Sequence, residues 1–184
     1  SYEEELQLLK DRKPIQYVVG HAYFHDLKIG LNSSTLIPRP ETEELVSEVI
    51  KLIDATQAKR IIDLGTGSGC IALAIKSIRP DTEVTGFDNN PDAIDQARKN
   101  ADSLNLDVNF IVADLFDYSF ESADIIVSNP PYIPVSECKG MEEHVIAYEP
   151  DGALFVPDEQ PLLFYDAIFA LGNKTFMSRT GWVA

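Results

Sequence analysis

Asn129-Pro130-Pro131-Tyr132 is a run of residue types suited to holding a planar amino group. The apolar Ile125-Ile126-Val127-Ser128 just before it reads as a buried strand, so the run forms the strand's polar mouth. Two prolines fix φ and remove two backbone donors, leaving the Pro130 carbonyl and the Asn129 carboxamide free to face a ligand. Each of those oxygens can accept one hydrogen of an NH2 group, while the Tyr132 ring can stack on its flat face. Read on its own, the run is also compatible with a strand ending in a proline-rich turn.

Upstream, Ile61-Ile62-Asp63-Leu64 runs into Gly65-Thr66-Gly67-Ser68-Gly69 and then the apolar Cys70 to Ile75. Strand, glycine turn and helix in that order let a ligand approach the backbone closely. The last glycine spacing departs from the dinucleotide fingerprint, and the carboxylate of Asp63 would repel pyrophosphate but suit a cationic amino group. Glu83-Val84-Thr85-Gly86-Phe87-Asp88 reads as the next strand; its terminal acid stands about 20 residues beyond the first glycine, where a carboxylate accepts from both hydroxyls of a ribose. Asp88 could instead cap the helix after Pro91, as could Asn89 or Asn90. A further strand, Asn109 to Ala113, ends at Asp114-Leu115-Phe116. Asp114 could accept from an adenine amine with Leu115 or Phe116 against the ring, or be a plain loop acid.

The elements that must position these groups alternate. Helices are expected at about 41–54, 68–78, 91–103 and 160–171, separated by strands or loops, which gives an α/β fold with a parallel sheet. Ligands in such sheets bind at the carboxyl ends of strands, where the groups above fall. Before the sheet, Ala22-Tyr23-Phe24 and Leu27 to Leu31 flank His25-Asp26 as a β-hairpin, and Tyr2 to Arg12 reads as a short charged helix. In Leu36 to Val46, Pro38 and Pro40 stiffen a loop that enters a helix capped by Thr42 or Glu41. Glu41, Glu43 and Glu44 suit the positive end of that helix as well as a ligand, and Arg39 could anchor a ligand carboxylate or pair with neighbouring acids. Residues 134–158 form one long stretch without periodicity, expected as a substrate lid, with Glu149-Pro150 shaping the pocket.

At 184 residues and 45% apolar content the chain suits one domain with a real core. No apolar run is long enough to cross a bilayer and no leader-like segment opens the sequence, so a cytoplasmic protein without membrane contact is expected. Cys70 and Cys138 are too few for a disulfide framework, Cys70 reading as a small core residue, and the three histidines show no metal spacing, so no metal is expected. Thirty acids against fifteen lysines and arginines give a net charge of −15. A nucleic-acid enzyme needs a basic track for phosphates, whereas an acidic face suits a basic protein partner; the excess is equally compatible with a solubility charge spread over the surface.

These motifs together resemble a Rossmann-like S-adenosylmethionine-dependent methyltransferase. Pro14 to Gly20, Leu36 to Val46, Asp63 to Ala72, Asn129 to Ile133 and Tyr148-Glu149-Pro150 with Ala153-Leu154-Phe155 narrow the resemblance to the release-factor glutamine methyltransferases (HemK/PrmC). The resemblance implies a class I methyltransferase sheet with helices on both faces, preceded by the hairpin. It further implies methyl transfer from S-adenosylmethionine to the side-chain amide nitrogen of the glutamine in the Gly-Gly-Gln loop of peptide release factors, without direct nucleic-acid binding. Carried over, Asp63, Gly65, Thr66, Gly67, Ser68 and Gly69 border the methionine part, Asp88 the ribose, and Asp114 and Leu115 the adenine. Asn129, Pro130, Pro131 and Tyr132 face the glutamine amide, Asn129 also facing the cofactor; Asn129, Pro130 and Tyr132 are the catalytic candidates, with Arg39, Glu41 and Glu149 as further substrate contacts. Residues 1–20 are read as a linker from an N-terminal helical domain and 21–184 as the catalytic domain. The C-terminal strands are expected to be truncated at Gly181 to Ala184, leaving an open sheet edge. Methylation of another glutamine-bearing protein, of a nucleic-acid amino group, or cofactor binding without turnover are the alternative functions.

Overall fold

In the computed structural model, residues 2–117, 122–175 and 182–183 are described. Helix α1 (Tyr2–Lys10) buries none of its residues, and the short α2 (Ile15–Val19) ends at Gly20. Strands β1 (His21–Phe24) and β2 (Leu27–Gly30) follow as an antiparallel pair. His25 and Asp26 both take positive φ, the geometry of a two-residue turn whose twist matches the strands it joins. Glu43 fastens this turn to the helix beyond it, accepting from the His25 amide at 3.1 Å.

That helix, α3 (Pro40–Thr56), starts at an extended Arg39 with Pro40 in its first turn and no side-chain cap. The expected capping by Thr42 or Glu41 is therefore corrected: Pro40 supplies a helical φ and removes one unpaired amide of the first turn, and the Thr42 amide bonds to the Arg39 carbonyl at 3.0 Å. Next come β3 (Arg60–Leu64), α4 (Cys70–Ile78), β4 (Glu83–Asp88), α5 (Pro91–Leu104), β5 (Asn109–Val112) and β6 (Ile125–Ser128). Asn90 caps α5, accepting from the Asp92 amide at 3.0 Å, which leaves Asp88 free of that task.

Residues 134–158 are not an unstructured loop. They hold part of β7 (Ile133–Pro134), a 3-10 turn (Val135–Gly140), α6 (Glu143–Tyr148), a second 3-10 turn (Asp151–Ala153) and β8 (Phe155–Val156), with β7 and β8 paired in parallel. Elements of two to six residues carry too few positions for any period to show. Helix α7 (Leu163–Thr175) begins three residues later than expected. Strand β9 (Trp182–Val183) lies where the next sheet strand was expected; Gly181 and Ala184 fall outside the described residues.

The main sheet is parallel, in the order β5-β4-β3-β6-β9, with the chain reversing direction across the sheet between β3 and β6. Neighbouring residues of a strand face opposite ways, and the core divides accordingly. Ile61, Ile125 and Val127 pack with Phe24, Ile29, Val46, Val49, Leu73 and Ile94 from the hairpin and α3, α4 and α5. Ile62, Leu64 and Ile126 pack with Phe87, Ile168 and Leu171 on the α7 side. Helices thus cover both faces, and a ligand at the reversal point meets strand ends from both halves of the sheet. No helix among the described residues is long and apolar enough to cross a membrane.

Candidate functional site

At the carboxyl ends of β3, β4, β5 and β6 lies a cavity of about 290 Å³. Its wall contains Gly65 to Ser68, Asp88, Asn89 and Asn90, Ala113 to Phe116, and Ser128 to Pro131, closed by Leu36, Arg39, Pro150 and Phe164. Four strand ends converge because the parallel register sets Leu64 beside both Phe87 and Ser128, and Asp88 beside Val112. The Ser128 hydroxyl, donating to the Leu64 carbonyl at 2.7 Å, ties the two central strand ends together just before Asn129.

The glycine turn is braced from beneath. Thr66 donates its amide to the Phe87 carbonyl at 2.9 Å and its hydroxyl to Asp63 Oδ2 at 2.6 Å, and the Gly67 amide donates to Asp88 Oδ2 at 2.9 Å. Gly65 and Gly67 have φ of +68° and +54°, and a Cβ at either would meet nothing within 4 Å. Their backbone therefore borders open space rather than packed side chains, a shape in which a ligand can lie against the main chain. Two buried oxygens of this region, Asp63 Oδ1 and Ser68 Oγ, have no hydrogen-bond partner among the described residues. Natural interiors seldom leave such groups without a partner; of the two, only Ser68 belongs to the cavity wall.

Asp63 itself is fully buried and outside the cavity wall, beneath the turn rather than on its surface. Burial pushes its carboxyl up to about 7, with the Thr66 hydroxyl pulling it down and the Asp88 carboxylate pushing it further up. The folded chain thus holds a proton on Asp63 that the unfolded chain releases near its ordinary value of 3.8. Stability should fall as pH rises from about 4 to about 7, because there the native state binds the extra proton. Thermal unfolding across that window is expected to show a shallower slope in Asp63→Asn than in the wild type, with Asp88, whose pKa burial also raises, contributing to what remains; an unaltered slope would place the effect on other carboxyls.

Asp88 accepts from the Gly67 and Asn90 amides, both at 2.9 Å, one on each oxygen. Burial raises its pKa in spite of those donors. A carboxylate has about four lone-pair sites, so each oxygen keeps one for a further donor, and bracing the turn does not compete with gripping a diol. Asp88→Ala is expected to weaken binding of S-adenosylhomocysteine by about 1–3 kcal/mol while changing turnover at saturation far less, as calorimetry against steady-state kinetics will separate. Asp114 also has a local bond, from the Phe116 amide at 2.9 Å, that turns Leu115 and Phe116 into the wall; Phe116 lies 5.7 Å from the Phe164 ring.

Arg39 lines the cavity and donates to Glu149 Oε1 at 2.6 Å, while the Ile37 amide donates to Glu149 Oε2 at 3.3 Å. Of the two readings of Arg39, the structure realises pairing with an acid, one 110 positions away in the sequence. Glu149 is buried behind the wall, Glu41 is exposed outside it, and Tyr132 is 58% exposed and also outside it. Tyr17 of α2 donates to the Thr35 carbonyl at 2.6 Å, fastening the segment that leads to Arg39. Cys70, the first residue of α4, meets the cavity, and burial pushes its thiol up to about 12, so it is no thiolate nucleophile. Sequence reasoning did not assign Leu36, Phe87, Ser128, Gly152 and Phe164 to the wall; Leu36, Phe87 and Ser128 stood within segments that it singled out, whereas Gly152 and Phe164 carried no signal. Among the described residues no cluster of histidine, cysteine or acids could hold a metal.

The chain is 44% identical over 169 residues to the release factor glutamine methyltransferase of Bacteroides thetaiotaomicron, covering 90% of this chain and 60% of that protein. It is 42% identical over 179 residues to the one from Flavobacterium psychrophilum, covering 95% and 63%. The chain thus spans about three fifths of the length of these curated relatives. Among solved structures it resembles the hMettl16 catalytic domain in complex with a MAT2A 3'UTR hairpin, with a TM-score of 0.63 at 21% identity over 80% of this chain and 57% of that one. A second is the Pyrococcus abyssi tRNA (uracil-54, C5)-methyltransferase in complex with S-adenosyl-L-homocysteine, with a TM-score of 0.53 at 20% identity over 80% of this chain and 36% of that one. At such identities the likeness is one of fold, the Rossmann-like class I methyltransferase sheet with a hairpin before it. With residues 43–147 matching the family described as methyltransferase small domain, the chain belongs to that family.

Proposed function

We propose that this chain transfers a methyl group from S-adenosylmethionine to the side-chain amide nitrogen of the glutamine in the Gly-Gly-Gln motif of peptide release factors, in the cytoplasm. The observation that carries the reading is that one cavity joins the open glycine turn and Asp88 to the Asn129-Pro130-Pro131 mouth. Its supporting chemistry is specific. Ser68 at the cavity wall suits the amino-acid end of the cofactor, the spare acceptor sites of Asp88 suit a ribose diol, and Asp114 with Leu115 suits an adenine. The residues present therefore fit the cofactor. Two relatives named for glutamine methylation of release factors agree with this substrate class.

When bound, S-adenosylmethionine supplies an electrophilic methyl group. The work left to the protein is to present the amide nitrogen. Its lone pair is delocalised into the carbonyl, so it reacts only when held in line and with its N–H groups occupied. The Asn129 carboxamide and the Pro130 carbonyl each accept one of those hydrogens. As the nitrogen gains positive charge, both carbonyl dipoles interact with it more strongly than with the neutral amide, which lowers the barrier rather than merely binding substrate; the transfer would leave S-adenosylhomocysteine, and the methylated nitrogen would shed one N–H proton to solvent at the mouth. Tyr132, exposed at the mouth, stacks on the incoming amide plane. Arg39 and Glu149 hold the wall behind the substrate, and the exposed Glu41 contacts a substrate surface outside the cavity. The net charge of −15 favours a basic protein partner over a nucleic acid.

The test is calorimetric titration with S-adenosylhomocysteine followed by methyl transfer to a purified release factor and to its variant lacking the glutamine. Binding with transfer that disappears in the variant is the expected result. Binding without transfer would leave a cofactor module, and no binding would overturn the assignment of the cavity.

A further inference from the structure

The carboxamide of Asn100, on the buried face of α5, is engaged on every side. Its Oδ1 accepts from the Gly30 amide at 2.9 Å and from Gln96 Nε2 at 3.2 Å; its Nδ2 donates to the Gly30 carbonyl at 3.0 Å and to the Ser68 carbonyl at 2.8 Å. In the hairpin the Leu31 amide bonds back to the Gly20 carbonyl, so the polar groups of Gly30, one residue earlier, point away from β1. Asn100 meets that outer edge as the peptide group of another strand would. A Cβ at Gly30 would stand 2.7 Å from Asn100 Oδ1 and equally close to Gln96 Nε2, which is why the position is a glycine. The remaining donor reaches Ser68, a wall residue between two positive-φ glycines of the turn.

We propose that Asn100 is a positioning residue for the cofactor turn: its carboxamide holds the Ser68 carbonyl, and through it the open backbone at Gly67, in register with the hairpin. Asn100 lies outside the cavity wall, so its influence passes through the turn alone. The proposal rests on the reading of that turn as the cofactor's cradle. It makes the hairpin a brace for ligand affinity, because the same carboxamide grips both.

The discriminating variant is Asn100→Asp, which keeps the shape and the acceptor for the Gly30 amide but replaces the donor with an oxygen facing two carbonyls. Losing the Ser68 bond should weaken S-adenosylhomocysteine binding about ten-fold or more, with turnover at saturating cofactor changed by only about two-fold. Gly30→Ala, which displaces the carboxamide from outside, should weaken binding in the same direction with α5 intact and keeps the test available if Asn100→Asp does not fold. Val49→Ala, a core change in α3 away from the turn, shows what destabilisation alone does to affinity. Wild-type affinity in folded Asn100→Asp or Gly30→Ala, or an equal loss in Val49→Ala at matched melting temperature, would make Asn100 a structural residue only. Wild-type protein that binds but transfers no methyl group to release factors leaves this assignment standing, since affinity alone is read; wild-type protein that does not bind overturns the cradle and the assignment with it.

Discussion

Asn129→Ala should lower turnover on a glutamine substrate by about 10²–10³-fold while leaving the affinity for S-adenosylhomocysteine within a few-fold of wild type. The asymmetry follows from what the substitution removes. The Pro130 carbonyl remains, as does the anchor of Ser128 on Leu64, so the β6 end and the cavity wall keep their shape. One acceptor disappears, and it is the one whose dipole interacts most with the nitrogen when that nitrogen carries positive charge. A neutral amide bound to the variant loses a single ordinary hydrogen bond, worth about 1 kcal/mol, whereas the transition state loses in addition a preorganised dipole aimed at its developing charge, a loss of about 2.7–4 kcal/mol that corresponds to the expected fall in turnover. Single-turnover methyl transfer set beside calorimetry separates the two. A variant in which cofactor affinity falls in parallel with turnover would mean that Asn129 holds the cofactor or the fold, and the role assigned to it here would be wrong.

Much of this arrangement is legible in the sequence because it is local. The apolar runs ending at Leu64, Asp88, Val112 and Ser128 are strands broken by glycine, proline or acid, and a parallel α/β sheet gathers such strand ends on one edge whatever the details of packing. That is why Gly65 to Ser68, Asp88, Asp114, Leu115 and Asn129 to Pro131 come to share one wall. What stays hidden depends on partners far along the chain. Asn100 reads as one more polar residue of an amphipathic helix; that it bridges Gly30 and Ser68 follows only from how α5 crosses the hairpin. Arg39 offers acids at 41, 43 and 44 as obvious partners, yet Glu43 turns to the His25 amide of the hairpin and the guanidinium meets Glu149 instead. Asp63 was expected beside the ligand; its inward position in a strand buried on both faces sets it under the turn, with one oxygen left over. The strand parity that makes β3 a good core strand also decides this, since Ile62 and Leu64 face the α7 side and Asp63 the other.

The Arg39–Glu149 pair joins two walls that the sequence keeps apart, the segment from Leu36 to Arg39 and the segment from Pro150 to Ala153. The glutamate side chain is 1% exposed and the arginine 35%, so the carboxylate depends on its partner far more than the guanidinium does. Removing the arginine leaves a buried charge whose remaining hydrogen-bond donor among the described residues is the Ile37 amide. Breaking a fully buried pair from one side costs about 3–5 kcal/mol; with the arginine a third exposed, solvent screens part of that, and about 2–3 kcal/mol is expected for Arg39→Ala. In a domain of this size such a loss lowers the melting temperature by about 5–10 °C. Glu149→Gln should restore much of it in the Arg39→Ala background, because a neutral amide oxygen still accepts from the Ile37 amide without carrying charge into the interior. The double variant should nevertheless bind S-adenosylhomocysteine more weakly than wild type, since the wall residue at 39 is gone. An Arg39→Ala protein as stable as wild type would mean that the carboxylate finds water or another cation, and that the two walls are held together by packing around Ile37 and Leu154 rather than by charge.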